Sequence, residues 1–194
     1  MPPKTKVSRE EIINGAVELV RREGHAALNA RAVARQLQIS TQPIFSNFAS
    51  MEALKGEVVA YAECLYRSFV QEDLQKMEYP PYKISGMAYV RFARQERELF
   101  KLLYMRDRRA ENIPRGFPQN DPILAMVQQG TGLDRAEAER LHLETWVSVH
   151  GIATMIATDY LELDDETVSN MLTDIYQALR ARFCEKERAN EEHP

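Results

Sequence analysis

Long apolar runs, cysteine, glycine and tryptophan are all scarce in this chain of 194 residues, and each shortage excludes a class of protein. No stretch of 18 or more apolar residues occurs, and no apolar segment stands near the start. The pattern therefore offers neither a transmembrane helix nor a secretory leader, and the expectation is a cytoplasmic protein with no membrane partner. The two cysteines, Cys64 and Cys184, lie far apart with no Cys or His at ligand spacing. A disulfide framework and a zinc site are both excluded on that basis, leaving reduced thiols in or near a helical core. Eight glycines and nine prolines punctuate the chain, and no stretch alternates apolar and polar residues between turn pairs. An all-β or α/β fold has no support. The motifs of phosphate cradles, nucleophile elbows and HExxH metalloenzymes are also missing. Four histidines are scattered along the chain. His142 and His150 share a helix face but stand ~12 Å apart, too far to hold one metal. The acidic run Asp164-Asp165-Glu166 reads as a helix start favoured by the macrodipole. No metal, no cofactor and no enzyme activity are expected.

What remains is helix. The apolar fraction of 44% and charged fraction of 28% suit a folded soluble chain, one long enough for one or two domains. Ser8 and Glu11 form a capping box before Ile12, Ala16, Leu19 and Val20, which recur at helical spacing until Gly24. Asn29 caps a short helix over 30–37. A break at Gln38-Ile39-Ser40 leads to a third helix, capped by Ser40 or Thr41 and ending near Asn47. Ser50 caps a long fourth helix over 51–77, which Pro80-Pro81 terminates. Residues 84–106 form one or two apolar-rich helices, and 107–122 is a loop. Asp121-Pro122 starts a helix to residue 130. Asp134 and Glu137 open a helix to about Tyr160. Asp164 or Asp165 caps the last helix, which ends near Cys184, and 185–194 is a polar, frayed tail. The expected fold is all-α with about nine helices.

Charge is unevenly shared. Residues 1–56 carry eight Lys/Arg against five Asp/Glu, a net of +3, whereas 57–194 carry 17 against 24, a net of −7. A basic head on an acidic body points to a polyanionic partner at the head.

A helix followed by two short helices around a three-residue turn is the helix-turn-helix arrangement, in which the second helix of the pair enters the DNA major groove. That helix begins Thr41-Gln42-Pro43; Thr and Gln are base-reading residues, and its N-terminus suits a phosphate. The ordered set Ile12, Ala16, Leu19, Gly24, Arg31-Ala32-Val33-Ala34-Arg35-Gln36-Leu37, Ile39-Ser40, Pro43-Ile44-Phe45-Ser46-Asn47-Phe48 and Leu54 resembles the N-terminal domain of the TetR family of transcriptional regulators. The resemblance covers residues 8–58. It implies that Arg31, Thr41, Gln42 and Pro43, with Ser40 beside them, face bases. It likewise implies that Phe45, Asn47 and residues near the start of the fourth helix face phosphates. The chain departs from the family pattern at four places. Phe45 replaces a phosphate-bonding Tyr, Asn47 a His, and Met51 a Lys, for which Lys55 one turn on is the available substitute. Gln38 replaces a turn glycine; a positive φ there costs about 1 kcal/mol. Fewer phosphate contacts and a shallower salt dependence follow.

The rest of the chain resembles the ligand-binding and dimerisation half of the same family. Trp146-Val147-Ser148-Val149-His150-Gly151 is similar to the Trp…His-Gly motif of one C-terminal subgroup. Ala88-Tyr89-Val90-Arg91-Phe92-Ala93 and Glu98-Leu99-Phe100-Lys101-Leu102-Leu103 resemble its central helices. Trp146 and His150 lie one turn apart. They are either an aromatic packing pair in the core or, for His150, a hydrogen-bonding group for an effector. The resemblance implies a cavity lined by residues among Tyr61, Cys64, Leu65, Tyr89, Phe92, Phe100, Leu103, Tyr104, Met126, Trp146 and His150, suited to a small apolar or aromatic effector. The last helix carries a wide stripe, Val168, Met171, Leu172, Ile175, Tyr176, Leu179 and Phe183, which serves its own core, a homodimer partner, or both.

The expected organisation is a helix-turn-helix DNA-binding domain over 1–56, a helical effector-binding and dimerisation domain over 57–184, and the tail 185–194. The expected function is a ligand-responsive transcriptional regulator, a repressor, that binds palindromic double-stranded operator DNA as a homodimer. Two alternatives remain: a helical interaction module with a degenerate DNA-binding head, and a small-molecule-binding helical protein.

Overall fold

The computed structural model describes residues 7–109 and 122–192, with 185–192 given by their backbone alone. Among the described residues the fold is all-α. Nine helices run in order: α1 Arg9–Glu23, α2 Ala30–Gln36, α3 Gln42–Asn47, α4 Met51–Lys76, α5 Pro81–Gln95, α6 Arg97–Tyr104, α7 Pro122–Thr131, α8 Arg135–Ala157 and α9 Asp165–Glu192. One turn of 3₁₀-helix, His25–Ala27, follows α1.

The chain divides into two compact units. One comprises Met1–Arg67 with Gln95–Asp107, the other Ser68–Arg94 with Arg108–Pro194. α4 therefore gives residues to each, and α6 belongs with the N-terminal helices.

The first unit packs Ile12, Leu19 and Val20 of α1, Val33 of α2, Ile44 of α3, Leu54 and Val58 of α4, and Leu99 and Phe100 of α6, all fully buried. The Ser8–Glu11 capping box is present in both directions. α6 is held to α1 by Arg21, whose Nε and Nη2 donate to the Glu96 carboxylate at 2.9 and 2.7 Å. A Cβ on Gly15 would lie 2.6 Å from Leu37 Cδ2, so α1 and the end of α2 approach as closely as a hydrogen side chain permits.

The second unit buries Ile84, Ala88 and Phe92 of α5, Leu124 and Val127 of α7, Leu141 and Ala153 of α8, and Val168 and Phe183 of α9. Leu172 of α9 packs onto Gly86 of α5, where a Cβ would stand 2.7 Å from Leu172 Cδ2. Arg91 Nε reaches Asp73 Oδ2 at 3.1 Å, its Nη2 reaches the Phe69 carbonyl at 3.0 Å, and its guanidinium lies 4.3 Å from the Phe69 ring centre.

Several helix ends differ from the sequence pattern. Thr41 occupies the N-cap of α3 without a side-chain bond, because its backbone (φ −72°, ψ −16°) is already helical rather than extended. The 84–106 stretch is two helices; α5 starts earlier, at Pro81, since proline is favoured at a first helical position. α8 stops at Ala157 rather than Tyr160, where Asp159 turns to φ 60°. Asp164 is the cap of α9, its Oδ1 accepting from the Thr167 amide at 2.7 Å. α9 runs to Glu192, beyond the end expected at Cys184, because Glu, Lys, Arg and Ala dominate the intervening residues. The Asp121 cap and most of the loop expected over 107–122 lie outside the described residues.

Candidate functional site

The α2–turn–α3 pair is built by local chemistry. Asn29 Oδ1 accepts from the Ala32 amide at 3.0 Å and starts α2. Gln38 turns the chain at φ 55°, the left-handed region that a glycine would enter without strain. Ile44 and Phe48 then anchor α3 in the unit's core. The remaining α3 side chains are left on or near the surface. Arg31, Ser40, Gln42, Phe45 and Lys55 are exposed, and Thr41, Pro43 and Asn47 are half-buried. Phe45 is 53% exposed, high for a phenyl ring. Asn47 Nδ2 donates to the Pro43 carbonyl at 2.8 Å, so this amide is engaged within its own helix. At the start of α4, Glu52 is held below the usual carboxylate range by its own backbone amide, then by the Ser50 hydroxyl and Lys55. The nearest basic side chain at that helix end, Lys55, therefore shares its surroundings with an ionised carboxylate.

A residue that the sequence pattern did not single out completes this face. Arg9 Nη1 donates to the Asn47 carbonyl at 2.7 Å, and its Nη2 pairs with Glu57 Oε1 at 2.6 Å. Its guanidinium lies 4.2 Å from the centre of the Phe48 ring. Nothing in the local spacing of residues 9, 47 and 57 announces this cluster; only the folded unit assembles it.

The eleven residues expected to line a cavity are shared between the units. Tyr61, Cys64, Leu65, Phe100, Leu103 and Tyr104 fall in the first, and Tyr89, Phe92, Met126, Trp146 and His150 in the second. In the first unit Phe100 and Leu103 are buried, and Tyr104 meets Tyr66 edge-on at 6.3 Å and Phe100 at 5.2 Å. Cys64 is exposed rather than placed in or near the core, because it sits on the solvent side of α4, one residue beyond the exposed Glu63; Cys184 is half-buried.

In the second unit Phe92 is buried edge-on to Phe69 at 5.4 Å, and Met126 is half-buried. His150 is the hub of the polar part. Its Nδ1 lies 2.9 Å from the Tyr89 hydroxyl and its Nε2 3.4 Å from Thr154 Oγ1. Its ring stacks on Trp146 at 5.1 Å with 14° between planes. Burial lowers the His150 pKa below the ordinary histidine value. A second pair of the same kind stands two turns earlier on the same two helices: the Tyr82 hydroxyl lies 3.0 Å from His142 Nδ1. Tyr176 packs 5.2 Å from Tyr82.

The apolar stripe of α9 is divided. Val168, Leu172 and Phe183 are buried within the unit, while Met171, Ile175, Tyr176 and Leu179 stay half-exposed. On α8, whose exposed side the family resemblance pairs with α9 in a four-helix interface, Leu143, Val147 and Met155 are 45%, 55% and 42% exposed. They recur at four-residue spacing through Gly151, whose would-be Cβ meets nothing within 4 Å. The signal was present in the sequence as three apolar residues on one face, but the opposite face of α8 is apolar too.

No group of three or more His, Cys, Asp or Glu side chains is placed to hold a metal ion among the described residues. Nor is any helix among them long and apolar enough to cross a membrane.

Residues 84–179 match the family model described as "Tetracyclin repressor-like, C-terminal domain". Two solved structures share the fold. A protein with unknown function from Rhodococcus sp. RHA1 superposes with a TM-score of 0.68 at 20% identity, covering 93% of this chain and 100% of its own. A member of the TetR family from Streptomyces coelicolor A3 superposes with a TM-score of 0.58 at 21% identity, covering 86% of this chain and 96% of its own. No curated protein matches the chain in sequence. The family-model match covers just under half of the chain, and the two solved structures share its all-α fold.

Proposed function

We propose that this chain is a one-component transcriptional regulator, a repressor, that binds palindromic operator DNA as a homodimer and is released by a small apolar or aromatic effector. The observation that carries the proposal is the α2–turn–α3 face in the first unit. A short helix with one buried anchor, Ile44, presents Gln42 and Phe45 to solvent beside exposed Arg31 and Ser40. A side-chain layout of this kind is suited to base edges and phosphates. The C-terminal half belongs in the Trp…His-Gly subgroup, with Trp146, His150 and Tyr89 as the effector's polar station. The half-exposed side of α9 and the Leu143–Val147–Met155 stripe of α8 form the homodimer contact. DNA-binding and effector-binding functions divide near residue 56. α4 gives residues to both units, so it is the element through which effector binding changes the spacing of the two heads in the dimer. Such coupling is reciprocal: an effector that weakens DNA is itself weakened by DNA.

The test is retention of fragmented genomic DNA from the source organism on the purified protein, followed by sequencing. A recovered palindrome supports the regulator. No enrichment at low salt overturns it and favours a head that binds protein. That second reading draws on two observations, the exposed Phe45 ring without a hydroxyl and the Asn47 amide engaged within α3.

A further inference from the structure

We infer that Arg9 is a positioning residue for DNA recognition: it sets the pose of α3 and ties that helix to α4. The inference rests on the proposed DNA-binding role of the head and goes beyond it by naming what holds the DNA-facing helix in place.

α3 needs an external hold. It has six residues, too few for independent stability, and Ile44 is its one buried residue. Its N-cap residue makes no side-chain bond. The orphan carbonyls at its other end must find donors, and Arg9 supplies one to Asn47. A cation there also complements the negative end of the helix dipole. The same guanidinium covers the ring of Phe48, the C-cap residue, and reaches Glu57 on α4. One planar fork thus touches the end of α3, its cap and α4 at once. Lysine, a point charge on a flexible stem, does not reproduce that arrangement.

Arg9 is itself well placed. It is the first residue of α1, directly after Ser8, whose backbone amide donates to Glu11 Oε2 at 2.7 Å and whose hydroxyl accepts from the Glu11 amide at 3.1 Å. The Arg9 and Glu57 side chains are 48% and 41% exposed, so the ion pair contributes little to overall stability. Its effect is expected on geometry, and geometry is read by sequence-specific binding. Phosphate contacts made without regard to sequence tolerate a shifted helix; base contacts do not.

The experiment compares wild type, Arg9→Met, Arg9→Lys and Glu57→Gln on two duplexes, one selected by wild type from genomic fragments and one of scrambled sequence, across a salt series. Arg9→Met is expected to weaken the selected duplex by about tenfold and the scrambled one by less than twofold, with an unchanged slope of log K against log salt. Arg9→Lys is expected to recover only part of the loss, and Glu57→Gln to show about a threefold selective loss. Thermal unfolding of each variant accompanies the titrations. If Arg9→Met fails to fold, the two milder substitutions carry the test. A parallel loss on both duplexes with a slope shallower by about 0.9 would make Arg9 a phosphate contact and overturn the inference. Unchanged affinity in all three variants also overturns it. If wild type itself retains no DNA at low salt, the regulator proposal falls first and the inference with it, an outcome distinct from the other two.

Discussion

α3 and α8 solve opposite problems. α3 is six residues long, with one buried side chain and no side-chain cap at its start. α8 is 23 residues long, has nine buried side chains, and opens on Asp134, which accepts from the Glu137 amide at 2.8 Å. The short helix leaves its polar residues outside and borrows its hold from α1 and α4 through Arg9. The long helix is held by its own packing, and beside exposed Arg135 and Arg140 it leaves an apolar stripe, Leu143, Val147 and Met155, uncovered. An exposed face carrying Gln42 and Ser46 beside the Phe45 ring, on a weakly anchored helix, suits a wet, charged partner such as DNA. An exposed apolar stripe on a firmly anchored helix suits a second copy of the same surface.

This contrast is open to direct attack. The largest expected effect comes from Ile44→Ala, which removes the one buried side chain within α3 itself and should cost on the order of 3–4 kcal/mol. Circular dichroism should show the first unit melting early. Emission from Trp146, the single tryptophan, should keep its wild-type transition, because that residue lies in the second unit. A common shift in both signals would show that the two units unfold as one.

Val147→Glu tests the other helix. Placing a charge on the exposed stripe should leave the monomer's fold intact, since Val147 is 55% exposed. In a symmetric dimer the charge would be buried twice, so the dimer dissociation constant should rise about a hundredfold or more. Sedimentation of wild type as a monomer, or of the variant as a wild-type dimer, would remove this stripe as a dimer contact.

A smaller effect is expected at the turn before α3. Gln38 sits at φ 55°, so Gln38→Gly should stabilise the first unit by about 1 kcal/mol, less glycine's own entropy cost. A lower melting temperature in this variant would show that the Gln38 side chain holds something that the backbone geometry does not reveal.

The smallest effect is a pH dependence confined to the second unit. His150 titrates lower in the folded protein than in the unfolded chain because burial disfavours its charged form. The unfolded chain therefore binds the proton more readily. The stability that His150 contributes is complete above about pH 6.5 and is lost as pH falls through the folded value. Acid titration followed by Trp146 emission should show this loss, and His150→Gln should flatten it. Because the ring is only partly buried, the amplitude should be modest.

Helix positions were largely legible because their signals are short-range. Ser8 with Glu11, Asn29 with Ala32, Pro122 at a first helical turn and the periodic apolar residues of α1 all act within one or two turns. The positive φ at Gln38 was signalled only through the family resemblance, whose pattern has a glycine at that position. Where weak signals competed, α8 stops short of Tyr160 and α9 runs well past Cys184, while Thr41 keeps its N-cap place without a side-chain bond. Cys64 was misjudged for a different reason: spacing alone places it near a core face of α4, and the residue lies just outside that face.

The candidate site was legible as a list of surface residues on α2 and α3, not as an arrangement. The sequence by itself determined the all-α class, the helix-turn-helix, and the apolar character of α8 and α9, since periodicity and capping depend on neighbours a few residues away. Tertiary structure alone decided four further things: α6 packs with α1; Arg9 joins residues 47, 48 and 57; tyrosines of α5 meet histidines of α8; and one face of α8 stays uncovered. Each of these depends on residues tens of positions apart, and which of several comparable faces is buried is settled only when the whole unit minimises its exposed apolar surface.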